Sequence, residues 1–198
     1  MGNLRTVLAV SVAALLLAAC TGTDPEPTPS ASPTATPTSP VSATATPSPT
    51  GALTTEELLA LLPEGADTPD VQGAIITAEF FVELYAPMFY SGDTTTWRAL
   101  STADCKYCAD ALDNVATVWD RGWTAQGGAI RAYSNTSRGV LRDSELAEVK
   151  FDADFGDAYL VRDAGTPELT EKGALHTVFL ELVLIDGVWR VNGVSVGE

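Results

Sequence analysis

The segment Cys105-Lys106-Tyr107-Cys108 holds the first residues in this chain whose types and spacing could do chemistry. One Cys-x-x-Cys pair supplies two metal ligands, whereas a zinc site wants four. The chain has a single histidine and no second cysteine pair, so neither a metal nor a cofactor is assigned. A cysteine at a helix N-terminus has its thiolate stabilised, so a redox pair stays open. Thioredoxin-like pairs, however, follow a strand inside a βαβ unit. Here a polar loop and a helix precede the pair. The other reading is a structural disulfide between Cys105 and Cys108 that closes the first turn of a helix, where it restrains little chain entropy.

His176 is the sole histidine, and so the sole side chain that titrates near neutrality without a shift. Strand parity puts it on the face of Val178 and Leu180. A catalytic role would pair it with a helix-borne acid, and no spacing identifies one. The alternative is a histidine at a strand's beginning, satisfied by water or backbone. Trp97, Trp119 and Trp189 fall on apolar faces with Phe151 and Phe155. They read as core first and, with His176, as candidate pocket wall. Glu148, Asp152 and Asp154 alternate with apolar residues and read as solvated. No catalytic residue is assigned.

Several elements must position these residues. Thr54-Thr55-Glu56-Glu57 is a capping box before a short leucine-rich helix that Pro63 and Gly65 end. Thr68 then caps a long helix with Pro69 at its first position. Val71, Ile75, Ala78, Val82, Tyr85 and Phe89 recur at steps of three and four, and Pro87 should bend or end that helix. A short helix over Thr95 to Leu100 points Trp97 inward. Ser101 or Asp104 caps the helix that carries both cysteines, Leu112, Val115 and Trp119. After Gly127-Gly128 the period becomes two, with Ala147, Val149, Phe151, Ala153 and Phe155 on one face. Asp186-Gly187 reads as a type I′ hairpin turn, which pairs Leu184 with Trp189 and Leu182 with Val191. Helices first and strands afterwards imply an α+β domain with an antiparallel sheet packed on helices.

The N-terminal quarter is different. Arg5 precedes an uncharged apolar run over Thr6 to Leu17, too short to span a bilayer, which reads as a secretory signal over 1–19. Residues 20–52 form a tether: from Thr21 to Thr50, eight of thirty positions are proline and most others are Thr, Ser or Ala. Such a segment buries too little apolar surface to fold and extends toward polyproline II. Residues 53–198 are long enough for one core. The chain carries a net charge of −15, which argues against a nucleic-acid partner.

Leu17-Ala18-Ala19-Cys20 resembles the lipobox of bacterial lipoproteins. That resemblance implies cleavage before Cys20, lipidation and acylation of Cys20, and an anchor on the outer face of the cell membrane, the chain's expected membrane contact. The segment Ala78 to Tyr85, with Thr96-Trp97-Arg98-Ala99-Leu100 and the closing strand Gly187 to Val191, resembles the cystatin-like α+β cone. Its best-known version is the nuclear transport factor 2-like superfamily, with steroid isomerase-like and polyketide cyclase-like enzymes. The lipobox, the Thr/Pro tether and Ser101-x-x-x-Cys105-x-x-Cys108 are more specifically similar to an uncharacterised family of actinobacterial lipoproteins. Together these imply a noncatalytic module for a small apolar ligand or an envelope protein. An isomerase- or cyclase-like enzyme and a thiol oxidoreductase are the alternatives.

Overall fold

A computed structural model describes residues 52–163 and 165–197. The signal segment, Cys20 and most of the tether lie outside them. Five α-helices come first: α1 (Thr55–Leu59), α2 (Val71–Glu83), α3 (Tyr85–Ser91), α4 (Thr95–Leu100) and α5 (Lys106–Asp120). Eight strands follow: β1 (Thr124–Gly127), β2 (Ile130–Ala132), β3 (Arg138–Leu141), β4 (Leu146–Phe155), β5 (Ala158–Val161), β6 (Glu168–Glu171), β7 (Ala174–Ile185) and β8 (Val188–Gly197). The domain is α+β, with helices packed on antiparallel strands.

Helix boundaries follow local hydrogen bonding. The capping box of α1 forms: the Thr54 N–H donates to Glu57 Oε2 at 2.8 Å, and the Glu57 N–H donates back to Thr54 Oγ1 at 3.3 Å. The cap of α2 is Asp70 rather than Thr68. Its Oδ1 accepts from the N–H groups of both Gln72 and Gly73 at 2.9 Å, and Thr68 supports it by donating its hydroxyl at 3.0 Å. A carboxylate that satisfies two orphan donors outcompetes a hydroxyl that would satisfy one. The long apolar stripe is split: α2 ends at Glu83 and α3 restarts at Tyr85. Pro87 causes this, because a proline ring clashes with the carbonyl four residues earlier, here that of Glu83. Within α3, Pro87 is the third residue, where an N–H would have no intrahelical partner anyway. Cys105, rather than Ser101 or Asp104, takes the cap of α5, with its Sγ accepting from Cys108 N at 3.3 Å.

The strands form a three-stranded sheet, β1-β5-β6, and a five-stranded one, β2-β4-β7-β8, with β3 beside β2 on the same edge of β4. Two of the chain's passages between the sheets are short kinks at Gly128-Ala129 and Gly156-Asp157, and a third is at Lys172-Gly173. The two sheets are therefore halves of one meander bent along a line. At the bend Gly128 donates to the Asp157 carbonyl and Gly156 to the Ala129 carbonyl, both at 2.8 Å. Asp157 Oδ1 accepts from Gly173 N at 2.7 Å. Glycine is needed where backbones approach this closely: a Cβ on Gly173 would sit 2.5 Å from the Phe155 carbonyl oxygen.

The closing hairpin has the expected register. Leu184 opposes Trp189 and Leu182 opposes Val191, and Asp186 and Gly187 have φ of 52° and 79°. Helix α2 touches all five strands of the larger sheet. A flat sheet four positions wide would span about 14 Å, more than one helix of about 10 Å covers, so the sheet curls around it. This is the cone-like arrangement. Between the layers lie Phe81, Trp97, Leu100, Phe151, Val178, Leu182 and Trp189, all buried. Phe81 stacks on Trp97 with ring centroids 3.9 Å apart.

Candidate functional site

A cavity of about 590 Å³ opens where the sheet bends, between α3, α5 and the strands on both sides of the corner. Helix α3 contributes Tyr85, Phe89 and Tyr90, and α5 contributes Tyr107, Asn114, Thr117 and Val118. The corner and β5 contribute Gly127, Gly128, Phe155, Gly156, Ala158, Tyr159 and Leu160. Trp123, Glu171, Lys172, His176 and Val196 complete the wall. The volume and the aromatic lining are those of a small-molecule site. A more open groove of about 640 Å³ runs over the outer face of the sheet past Val140, Lys150 and Phe179. It lacks a covering layer.

Each wall residue is placed by a local feature. The break at Leu84 starts α3 afresh and sets Tyr85 at its first position. Tyr90 is tied to the corner by donating its hydroxyl to the Gly127 carbonyl. Tyr107 sits inside the first turn of α5, between the two cysteines. The structure brings Cys105 and Cys108 to disulfide distance, with Cα atoms 5.2 Å apart. The indole N–H of Trp97 donates to the Cys108 carbonyl at 3.2 Å, which fixes that turn against the core. Trp123 lies under two guanidinium groups, Arg121 at 4.8 Å and Arg162 at 5.0 Å from its ring centroid.

An aromatic chain leads from the core to the cavity. Tyr85 lies 5.9 Å from Trp97, 6.3 Å from Tyr107 and 5.1 Å from Phe89, centroid to centroid. Burial raises the pKa of Tyr85, and the Glu171 carboxylate adds to the rise. Burial also pushes Tyr107 up, and the neighbouring Tyr85 adds to that. Both phenols are therefore neutral hydrogen-bond donors through the physiological range.

His176 reaches the cavity wall from β7. Its Nδ1 lies 3.2 Å from the Gly197 carbonyl oxygen, which can only accept. A hydrogen bond there has Nδ1–H as its donor. The ring meets Phe155 edge-on at 5.2 Å. Among the described residues, no carboxylate is hydrogen-bonded to His176. Nor do three or more potential metal ligands gather anywhere among them.

Of the three tryptophans read as core first and candidate pocket wall second, none lines the cavity. Trp97 and Trp189 are fully buried in the core. Their indole N–H groups are satisfied by the carbonyls of Cys108 and Thr68, the latter at 3.0 Å. A buried indole needs such a partner, and the core supplies one in both cases. Trp119 is 46% exposed on the outside of α5. It donates to the Phe89 carbonyl at 3.1 Å and covers Gly92. His176 and Phe155 do line the wall, and beside them stand residues that sequence reasoning assigned to other tasks. Tyr85 and Phe89 read as core positions of one long helix, and Tyr107 was hidden between the cysteines. The available signal was a phenol hydroxyl on an otherwise apolar stripe, which needs a polar outlet.

A family model described as a family of unknown function, DUF6318, matches residues 61–195. The chain belongs to this family. The match runs from the end of the first helical segment to the last strand and takes in every cavity residue named above but Val196. No curated protein matches the chain. Among solved structures, the intermembrane space region of the chloroplast protein ARC6 is 14% identical with a TM-score of 0.49. The match covers 64% of this chain and 95% of that one. A candidate polyketide cyclase of Xanthomonas campestris pv. campestris is 13% identical with a TM-score of 0.29, covering 63% of this chain and 92% of that one. A protein from a de novo design study of diverse pocket structures is 12% identical with a TM-score of 0.26, covering 60% and 96%.

Proposed function

We propose that this DUF6318 protein is a noncatalytic binding module, held at the outer face of the cell membrane by lipid on Cys20, that takes a small apolar ligand into the corner cavity. The observation that carries the reading is the cavity wall. It is apolar and aromatic over most of its surface, and no carboxylate among the described residues is hydrogen-bonded to the histidine in it. An isomerase- or cyclase-like enzyme would use His176 with a pocket acid. No carboxylate among the described residues is in hydrogen-bond contact with that ring, which favours binding over turnover. A thiol oxidoreductase would need Cys105 or Cys108 accessible, and both are buried.

The anchor rests on the lipobox-like Leu17-Ala18-Ala19-Cys20 and on the kinship to actinobacterial lipoproteins that the Ser101-x-x-x-Cys105-x-x-Cys108 segment implies. The proline-rich tether, with a reach of about 3.1 Å per residue, lets the domain work away from the bilayer.

Titration with Nile red, an apolar dye whose emission moves to the blue in dry surroundings, tests the cavity. Saturable one-to-one binding that Ala125→Trp abolishes supports the reading, because Ala125 lies in the wall and a tryptophan there fills the space. Equal binding to both forms would put the dye on another surface and overturn it.

A further inference from the structure

Trp123 stands where the cavity wall meets solvent, and two cations gather on its ring. Gly122 takes φ of +66°, and the Trp123 N–H then donates back to the Val118 carbonyl at 2.9 Å, which closes the end of α5. Thr124 pairs with Val161 at the start of the β1-β5 ladder, so the chain on either side sets Trp123 next to Arg162. The half-buried indole lines the cavity and also reaches solvent. Over it lie the guanidinium groups of Arg121, at 4.8 Å from the ring centroid, and Arg162, at 5.0 Å. With Lys172 in the wall, three of the chain's 11 Lys and Arg residues border this one cavity. On a chain of net charge −15, an anion repelled by most of the surface meets attraction here.

We propose that Arg121 and Arg162, stacked on Trp123, receive the anionic head of an amphiphile whose apolar body fills the cavity. This rests on the cavity-binding reading above and names the ligand class: a hydrocarbon body that ends in one carboxylate or phosphate diester. The head cannot follow the body inward, because Phe89, Val118, Ile130, Phe155 and Leu160 offer it no counter-charge. Burying an unpaired charge among such side chains is costly, so the charge stays at the rim. Glu168 and Glu171 stand among the rim's cations, so a head with one negative charge suits it better than a multiply charged one.

The two guanidinium groups keep donors to spare. A stacked guanidinium spends its face on the ring and holds its N–H groups in plane, in the fork that fits a carboxylate or a phosphate. The Arg121 guanidinium donates to no described residue. Arg162 gives one N–H to Glu168, in a pair whose side chains are 40% and 65% exposed. So exposed a pair contributes little, and an incoming anion takes the place of Glu168 at small cost. Stacking on one ring also orders both groups before any ligand arrives, which leaves more of the interaction as affinity.

The test uses two dyes on the full chain: dansylaminoundecanoic acid, whose emission moves to the blue in dry surroundings, and its uncharged methyl ester. Arg121→Gln with Arg162→Gln should weaken the acid about tenfold and leave the ester within about twofold. Added salt should weaken the acid alone. Arg121→Lys with Arg162→Lys keeps the charges and should restore most of the acid's affinity, and urea midpoints serve as the folding control. Dodecanoate and lauroyl lysophosphatidylglycerol, both below their micelle concentrations, then compete with the bound acid. Displacement by the first alone assigns a free fatty acid, and displacement by the second alone assigns a phospholipid. Displacement by both supports the single negative charge that they share, and displacement by neither overturns the proposal. If the double Gln variant binds the acid as tightly as the parent, the rim is wrong while the cavity stands. An equal loss for acid and ester would make the arginines props for Trp123 and also overturn it. If neither these dyes nor Nile red bind the parent chain, the cavity reading fails and the rim fails with it.

Discussion

Replacing Gly127 by alanine strikes the corner that shapes the cavity. Gly127 has φ of +68°, and a Cβ placed there would lie 2.1 Å from the Asp157 carbonyl oxygen. Ordinary carbon–oxygen contact begins near ~3.3 Å, so that carbonyl must retreat by more than ~1 Å. The same oxygen accepts from Gly128 N–H at 2.8 Å, so the retreat breaks a bond that closes the corner. A Cβ at positive φ costs about 1 kcal/mol. Forced overpacking adds about 1–3 kcal/mol, and the lost hydrogen bond about 0.5–1.5 kcal/mol. The expected destabilisation is about 3–5 kcal/mol. Gly187→Ala is the matched control. Its φ is +79° and nothing lies within 4 Å of the new methyl, so the backbone cost of about 1 kcal/mol stands alone. Urea unfolding followed by tryptophan fluorescence measures both variants on one scale. If Gly127→Ala loses no more stability than Gly187→Ala, the strands do not approach as described and the corner argument fails.

Three further outcomes follow from the same structure. Cys105→Ser should cost about 2 kcal/mol or less, because the closed loop is very short, and a Cys105–Cys108 potential below about −300 mV would mark a structural bridge. A cost well above that range would mean the bridge organises more than one helical turn. Leu182→Ala, at a fully buried position opposite Val191, should lower the urea stability by about 2–5 kcal/mol, and a loss under about 1 kcal/mol would deny Leu182 its place in the core. The backbone N–H of Gly73, and next the Thr68 hydroxyl, hold the Asp70 carboxyl below its ordinary value. A folded-state pKa below the unfolded one contributes stability that is fully present above about pH 4 and is lost as pH falls through the folded value. Thermal melts across that acid range should therefore be steeper for the parent than for Asp70→Ala, and parallel curves would remove Asp70 from the cap.

The sequence made the fold class and the closing hairpin readable for a plain reason. Alternation over Ala147 to Phe155 and the Asp186-Gly187 turn each depend on neighbouring residues alone, and so did the capping box at Thr54. What escaped depended on contacts distant in sequence. Strands β1, β5 and β6 are only four residues each, too short to show a period, and they exist because they pair with one another in their own sheet. The split between α2 and α3 was foreshadowed by Pro87 but fell one turn earlier, at the carbonyl the ring displaces. For the site, His176 was marked by being the one histidine. Tyr85 and Tyr107 were not marked, because a tyrosine on an apolar stripe looks like core until the space beside its hydroxyl is known. Trp97 and Trp189 took the core reading, while the partners of all three tryptophans are main-chain carbonyls of Cys108, Thr68 and Phe89, which no side-chain pattern reveals.

Native mass spectrometry of the full chain, after incubation with an extract of its own cell envelope, tests the binding claim most directly. A reproducible small-mass adduct of one ligand per chain is expected on the parent protein and is lost in Ala125→Trp. A chain that emerges bare from the extract, or an adduct that Ala125→Trp retains, would contradict it.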